Sequence, residues 1–71
     1  MVDTIRLLDI IKKRGYRLEH VAAEIGITRQ SLSDKIKNKA LFKLCEVQKL
    51  VALLSLTTTE IMQIFFKNNV A

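Results

Sequence analysis

The sequence predicts an all-α fold, a compact five-helix domain spanning residues 1–71, on three observations. Proline is absent, and glycine occurs only at Gly15 and Gly26, so little in the chain interrupts a helix. No stretch alternates apolar and polar β-branched residues over the length of a strand. Apolar residues recur instead at three- and four-residue spacing. With 49% hydrophobic residues in a chain of 71, one small domain with its own core is the expected size class.

Each element follows from local pattern. The first helix is expected from about Asp3 to Arg14, capped by Asp3. Ile5, Leu7, Leu8 and Ile11 give it a broad apolar stripe. Lys12, Lys13 and Arg14 complement the dipole in its last turn, and Gly15 supplies the left-handed residue that ends it. Tyr16 should pack its ring at that end. The second helix is expected over Leu18 to Ile25, with Leu18, Val21, Ala22 and Ile25 on one face. Ala22 is small where two helices cross, and Gly26 can take positive φ to turn the chain sharply.

Thr28 can cap the third helix, expected to run to about residue 37. Ile27 and Leu32 form a hydrophobic staple across that cap. Leu32 and Ile36 face inward together. Asn38 to Phe42 reads as a loop, with Phe42 tucked against the core. The fourth helix is expected over Leu44 to Ser55, with Leu44, Val47, Leu50, Val51 and Leu54 as its inner stripe and Cys45 packed beside it. Thr57 and Glu60 form a capping box for the fifth helix, with Leu56 and Ile61 as its staple. That helix continues through Ile64, Phe65 and Phe66. Adjacent helical positions point about 100° apart, so one of the two phenylalanines packs inside and the other faces outward. Asn68 to Ala71 should fray.

Charge narrows the function class. The net charge is +5, and the pI is near 9.7. Residues 28–43 hold Arg29, Lys35, Lys37, Lys39 and Lys43 against Asp34 alone, whereas residues 18–27 hold Glu19 and Glu24 against no Lys or Arg. Residues 1–17 hold Arg6, Lys12, Lys13, Arg14 and Arg17 against Asp3 and Asp9, but the largest excess falls on residues 28–43, and a basic cluster there suits a polyanion. Single Cys45 excludes an internal disulfide and cannot alone build a metal site. No signal peptide is evident, and the apolar run Leu50 to Leu56 is too short to span a bilayer. A cytoplasmic setting is therefore expected, with no membrane partner. No triad, metal cluster, glycine-rich phosphate loop or paired carboxylate is present, so neither an enzyme nor a cofactor is expected. His20 lies beside Glu19 off the apolar face and reads as a solvated surface residue.

Residues 18–37, LEHVAAEIGITRQSLSDKIK, combine a short helix, a glycine turn and a second helix with a polar outer face. That is the pattern of a helix-turn-helix. On Val21-Ala22, Gly26-Ile27, Thr28 to Ser33 and Lys35 to Lys39, the chain resembles the Cro/repressor (XRE) family of helix-turn-helix proteins. Phe42 and the run from Glu60-Ile61 to Phe65-Phe66 look like the small Cro-like regulators of temperate phages of Gram-positive bacteria.

The resemblance implies double-stranded DNA as partner, the third helix in the major groove, and the host bacterial cytoplasm as the place of action. Thr28, Arg29, Gln30, Ser33, Asp34 and Lys37 would face outward. Gln30 suits adenine N6/N7, and Arg29 suits guanine O6/N7 or a phosphate. Lys35, Lys37, Asn38, Lys39 and Lys43 are expected along the DNA backbone. A domain this small favours a homodimer on a two-fold site, with Ile61, Phe65 and Phe66 as the contact. The chain departs from the family pattern at Leu18, where glutamine commonly grips phosphate, and at Arg17, where a serine or threonine cap is common. Asp34 adds a negative charge to the reading helix. These departures point to an alternative, a modulator of repression that binds a phage repressor protein.

Overall fold

The structure, a computed structural model, describes residues 2–66; the expected fraying of 68–71 lies outside them. Among the described residues it is all-helical: α1 (Thr4–Lys13), α2 (Leu18–Ile25), α3 (Arg29–Ile36), α4 (Leu44–Leu54) and α5 (Thr58–Phe65). The radius of gyration is 11.1 Å, matching the ~11 Å of a folded chain this long.

The helix starts follow the capping chemistry. Asp3 accepts from the Arg6 amide, Thr28 from the Ser31 amide at 3.0 Å, and Thr57 from the Glu60 amide at 3.1 Å. Glu60 returns the bond by accepting from the Thr57 amide at 2.9 Å, completing the box. That amide and the charge of Arg14 hold the Glu60 carboxyl below its ordinary range. Arg17 and Lys43 precede α2 and α4 without a side-chain cap.

Four helices end on one device, a left-handed residue that lets the next amides fold back onto the last carbonyls. Gly15 and Gly26 take φ of +77° and +82°; Asn38 and Ser55 take +64° and +51°. At α3 the Lys39 amide donates to the Asp34 carbonyl at 2.8 Å, and the Asn38 amide to Lys35 at 3.2 Å.

Twelve buried apolar residues form one core: Leu7, Ile10 and Ile11 from α1; Val21, Ala22 and Ile25 from α2; Leu32 and Ile36 from α3; Leu50 and Leu54 from α4; Leu56; and Ile64 from α5. α2 packs on both α3 and α4, and α1 packs on α5. The N-terminal segment fastens the two ends of this arrangement. The Asp3 amide donates to the Ile64 carbonyl at 2.7 Å. The Thr4 hydroxyl donates to the Ile36 carbonyl at 2.6 Å.

Two expected stripes are rotated. On α1 the buried set is Leu7, Ile10 and Ile11, while Ile5 is 83% exposed and Leu8 lies at the surface. At 100° per residue, positions 7, 10 and 11 share about 100° of arc and Ile5 lies opposite. On α4 the buried row is Glu46, Leu50 and Leu54, at four-residue spacing. Val47 and Val51 flank it, whereas Leu44 and Cys45 fall outside it and are exposed. Cys45 is thus a surface thiol rather than a packed one.

The other aromatic expectations hold in place. Phe42 packs against the core and meets Phe65 edge to face, centroids 5.8 Å apart. Phe66 faces outward at 42% exposure. Tyr16 is half-buried at the end of α1 and stacks on exposed His20 at 5.3 Å.

Candidate nucleic-acid interface

Three residues, Gly26-Ile27-Thr28, join α2 to α3. Ile27 is half-buried against the core and Leu32 is fully buried. The apolar contacts on either side of the Thr28 cap set the direction in which α3 leaves the turn. Leu32 and Ile36 then fix its rotation. Relative to Leu32, positions 33, 37, 30 and 34 fall within about 100° of arc on the far side. Gln30 and Lys37 are exposed there, and Ser33 and Asp34 are half-buried. Thr28 and Arg29, at the start of the helix, are exposed.

Two local contacts shape this face. Gln30 Nε2 donates to Asp34 Oδ1 at 3.0 Å. One amide hydrogen and the amide oxygen of Gln30 remain available, the donor and acceptor that adenine N7 and N6 require. Asp34 thereby orients the Gln30 amide and spends part of its charge on it. Arg29 Nε lies 3.8 Å from Glu19 Oε1, and both side chains are largely in water. Such a pair contributes little and opens at small cost. Arg29 in the first turn and Asp34 near the last oppose the helix dipole, whereas Lys35 in the last turn and Lys37 at the C-cap complement it.

The backbone-gripping set needs correction at two positions. Lys35 is buried, and its Nζ donates to Glu46 Oε1 and Oε2 at 2.6 and 2.7 Å. It lies about 60° from Leu32 on the side facing α4 rather than the outward side. Glu46 also accepts from the Lys43 amide at 2.9 Å, so one carboxylate starts α4 and clamps it to α3. Burial pushes the Glu46 carboxyl up, but these hydrogen bonds and the charges of Lys35 and Lys43 outweigh it and hold the group below its ordinary range.

Asn38 is the second correction. Its side chain accepts from the Val2 amide at 2.8 Å and donates to the Val2 carbonyl at 3.1 Å. Its amide is thus committed to the N-terminal segment. Lys37, Lys39 and Lys43 are exposed and form no ion pair among the described residues. They cluster from the end of α3 to the start of α4.

Two exposed apolar areas flank this surface. Leu41 and Leu44, 90% and 73% exposed, edge a shallow groove with Phe66 beyond the end of α3. Ile61 and Phe65, expected at a dimer contact, are half-buried and pack on the core, whereas Phe66 is available. A second, larger groove beside Arg29 is lined by Ile5, Leu8, Tyr16 and Leu18. No group of His, Cys, Asp or Glu among the described residues is placed to hold a metal ion. No helix among them is long and apolar enough to cross a membrane.

Sequence reasoning missed the Lys35–Glu46 pair and both grooves. The ion pair spans eleven positions and two helices, so no local spacing announces it. The grooves had a visible signal, since α1 and the 41–44 segment carry more apolar residues than one buried stripe can take. Comparison with protein-family models, curated proteins and solved structures gives no match.

Proposed function

We propose that the chain is a sequence-specific DNA-binding transcriptional regulator of the phage Cro/repressor type, acting in a bacterial cytoplasm. On this reading α2 and α3 form a helix-turn-helix and α3 lies in the major groove. The observation that carries it is the division of α3. Leu32 and Ile36 are sealed beneath, while Arg29, Gln30 and Lys37 stand in water. Arg29 and Gln30 read base edges, with Thr28 and Ser33 bonding to phosphate or base. Lys37, Lys39 and Lys43 hold the phosphates. Leu41, Leu44 and Phe66 meet the same patch on a second copy. That patch follows closely on the end of α3, so pairing brings two reading helices onto one two-fold site.

The test is a gel-shift titration at two salt concentrations, using duplex DNA from around the coding sequence and an unrelated duplex. Arg29→Ala and Gln30→Ala should change which duplex is preferred. Lys37→Ala should weaken binding to both and reduce the salt slope by about one unit. Equal affinity for every duplex in the wild-type protein, or no binding at low salt, would overturn the reading. The exposed groove beside Arg29 favours a second reading, a modulator of repression docked on a phage repressor protein.

A further inference from the structure

We infer that the groove between α1 and the start of α2 docks an acidic amphipathic helix of a partner protein, and that its occupation excludes DNA from α3. The second half rests on the DNA-reading role proposed for α3. The groove measures about 600 Å³, room for more than one large side chain. Ile5, Leu8, Tyr16 and Leu18 form its apolar floor. The core does not need Ile5 or Leu8, because Leu7, Ile10 and Ile11 already fill α1's buried face. An exposed apolar surface rimmed by charge is the mark of a protein contact.

The rim states the partner's charge. Asp9 is paired with Lys13 at 3.0 Å, and Glu19 lies 3.8 Å from Arg29. Lys12 and Arg17 also line the groove, are exposed, and form no ion pair among the described residues. The residual field is positive, so carboxylates flanking the occupant's apolar face complement it. The occupant is helical for a backbone reason. The groove is lined by side chains of α1, α2 and α3 with Tyr16 and Arg17 of the α1–α2 loop; it offers no strand edge to pair with, so a helix, which satisfies its own amides, is the occupant that suits it. Ile5 to Lys12 rises about 10 Å along α1, the span of anchors at i, i+3 or i+4, and i+7.

Arg29 links the groove to DNA. It lines the groove and stands in the first turn of α3. A partner carboxylate drawn to its guanidinium removes a base or phosphate contact and sets a negative charge where phosphate would approach. Duplex DNA itself suits the groove poorly, because the apolar floor gives phosphate oxygens no donors.

The experiment is an NMR amide titration of the full chain. The probe is a designed helical peptide of about 14 residues, four turns, with leucines on one face and glutamates beside them. Shifts should map to Ile5, Leu8, Tyr16 and Leu18. Ile5→Ser, at a position already in water, should weaken binding about tenfold, as should lysines replacing the peptide's glutamates. The peptide should also release labelled duplex in a gel shift. Shifts centred on Leu41 and Phe66, indifference to Ile5→Ser, equal binding of the lysine peptide, or preference for anionic vesicles would overturn the docking. Loss of duplex binding by Ile5→Ser without peptide would assign the groove to DNA and overturn it as well. A chain that binds the peptide but no duplex would sink the DNA reading and the exclusion while leaving the docking site standing.

Discussion

The outward faces of α3 and α1 both meet water, yet they carry opposite chemistry. α3 presents Gln30, Ser33 and Lys37; α1 presents Ile5 and Leu8. A polar outer face is what any soluble helix shows, and by itself it identifies nothing. Exposed Lys37, Lys39 and Lys43, which form no ion pair among the described residues and gather at one end, are what make the α3 face suited to a polyanion. The α1 face differs because large apolar residues stand there without a share in the core. The two faces converge at Arg29, which lines the α1 groove and stands in the first turn of α3.

The same contrast recurs within α3, and it gives the largest expected effect. Lys35 and Lys37 are two residues apart and carry the same charge. Lys35 is clamped to Glu46 out of water; Lys37 is exposed. Lys35→Ala leaves the Glu46 charge buried without its partner, and should cost about 3–5 kcal/mol in a urea titration. Lys37→Ala should stay within about 0.5 kcal/mol and register only in the duplex binding proposed for α3. The paired change Lys35→Met with Glu46→Leu should recover most of the lost stability, since apolar replacement of a buried ion pair is often neutral or better. Equal stability losses at positions 35 and 37 would erase the distinction.

α1 offers the apolar version of the comparison. Leu7→Ala should cost about 2–5 kcal/mol, because the site is fully enclosed and a cavity remains. Ile5→Ala should change stability by less than about 0.5 kcal/mol. A large loss from Ile5→Ala would mean that its side chain is packed and that the α1 groove is not an open surface.

These pairs also mark what was legible in the sequence. The caps at Asp3, Thr28 and Thr57, and the turns at Gly15 and Gly26, rest on chemistry within a few residues, and the spacing shows them directly. So does the inward direction of Leu32 and Ile36, because α3 has a single apolar row. α1 and α4 carry apolar residues at too many positions for periodicity to choose a face. The choice there is made by neighbours distant in sequence. Glu46 joins the buried row of α4 only because Lys35 approaches it from α3. Asn38 is removed from the interface only because Val2 reaches it across 36 positions. Left-handed Asn38 and Ser55 were hidden for another reason, as neither is the glycine that usually marks such an ending.

The smallest effect distinguishes the two carboxylates that each reach back to a helix start. Glu46 and Glu60 both sit below their ordinary pKa. A depressed carboxyl binds fewer protons in the folded chain than in the unfolded one, so stability rises with pH across that interval. The contribution is complete above the unfolded value, about 4.3, and is lost as pH falls through the folded values. Urea midpoints recorded downward from neutral pH should therefore fall below that point. Glu60→Gln should remove only a little of the slope, since that group lies near solvent. Glu46→Gln should remove more, at the expense of lower stability at neutral pH, because Lys35 is then buried beside a neutral amide. If Glu46→Gln left both the neutral-pH midpoint and the acid slope unchanged, the Lys35–Glu46 clamp would not be holding α3 against α4. The orientation of α3 would then rest on Leu32 and Ile36 alone.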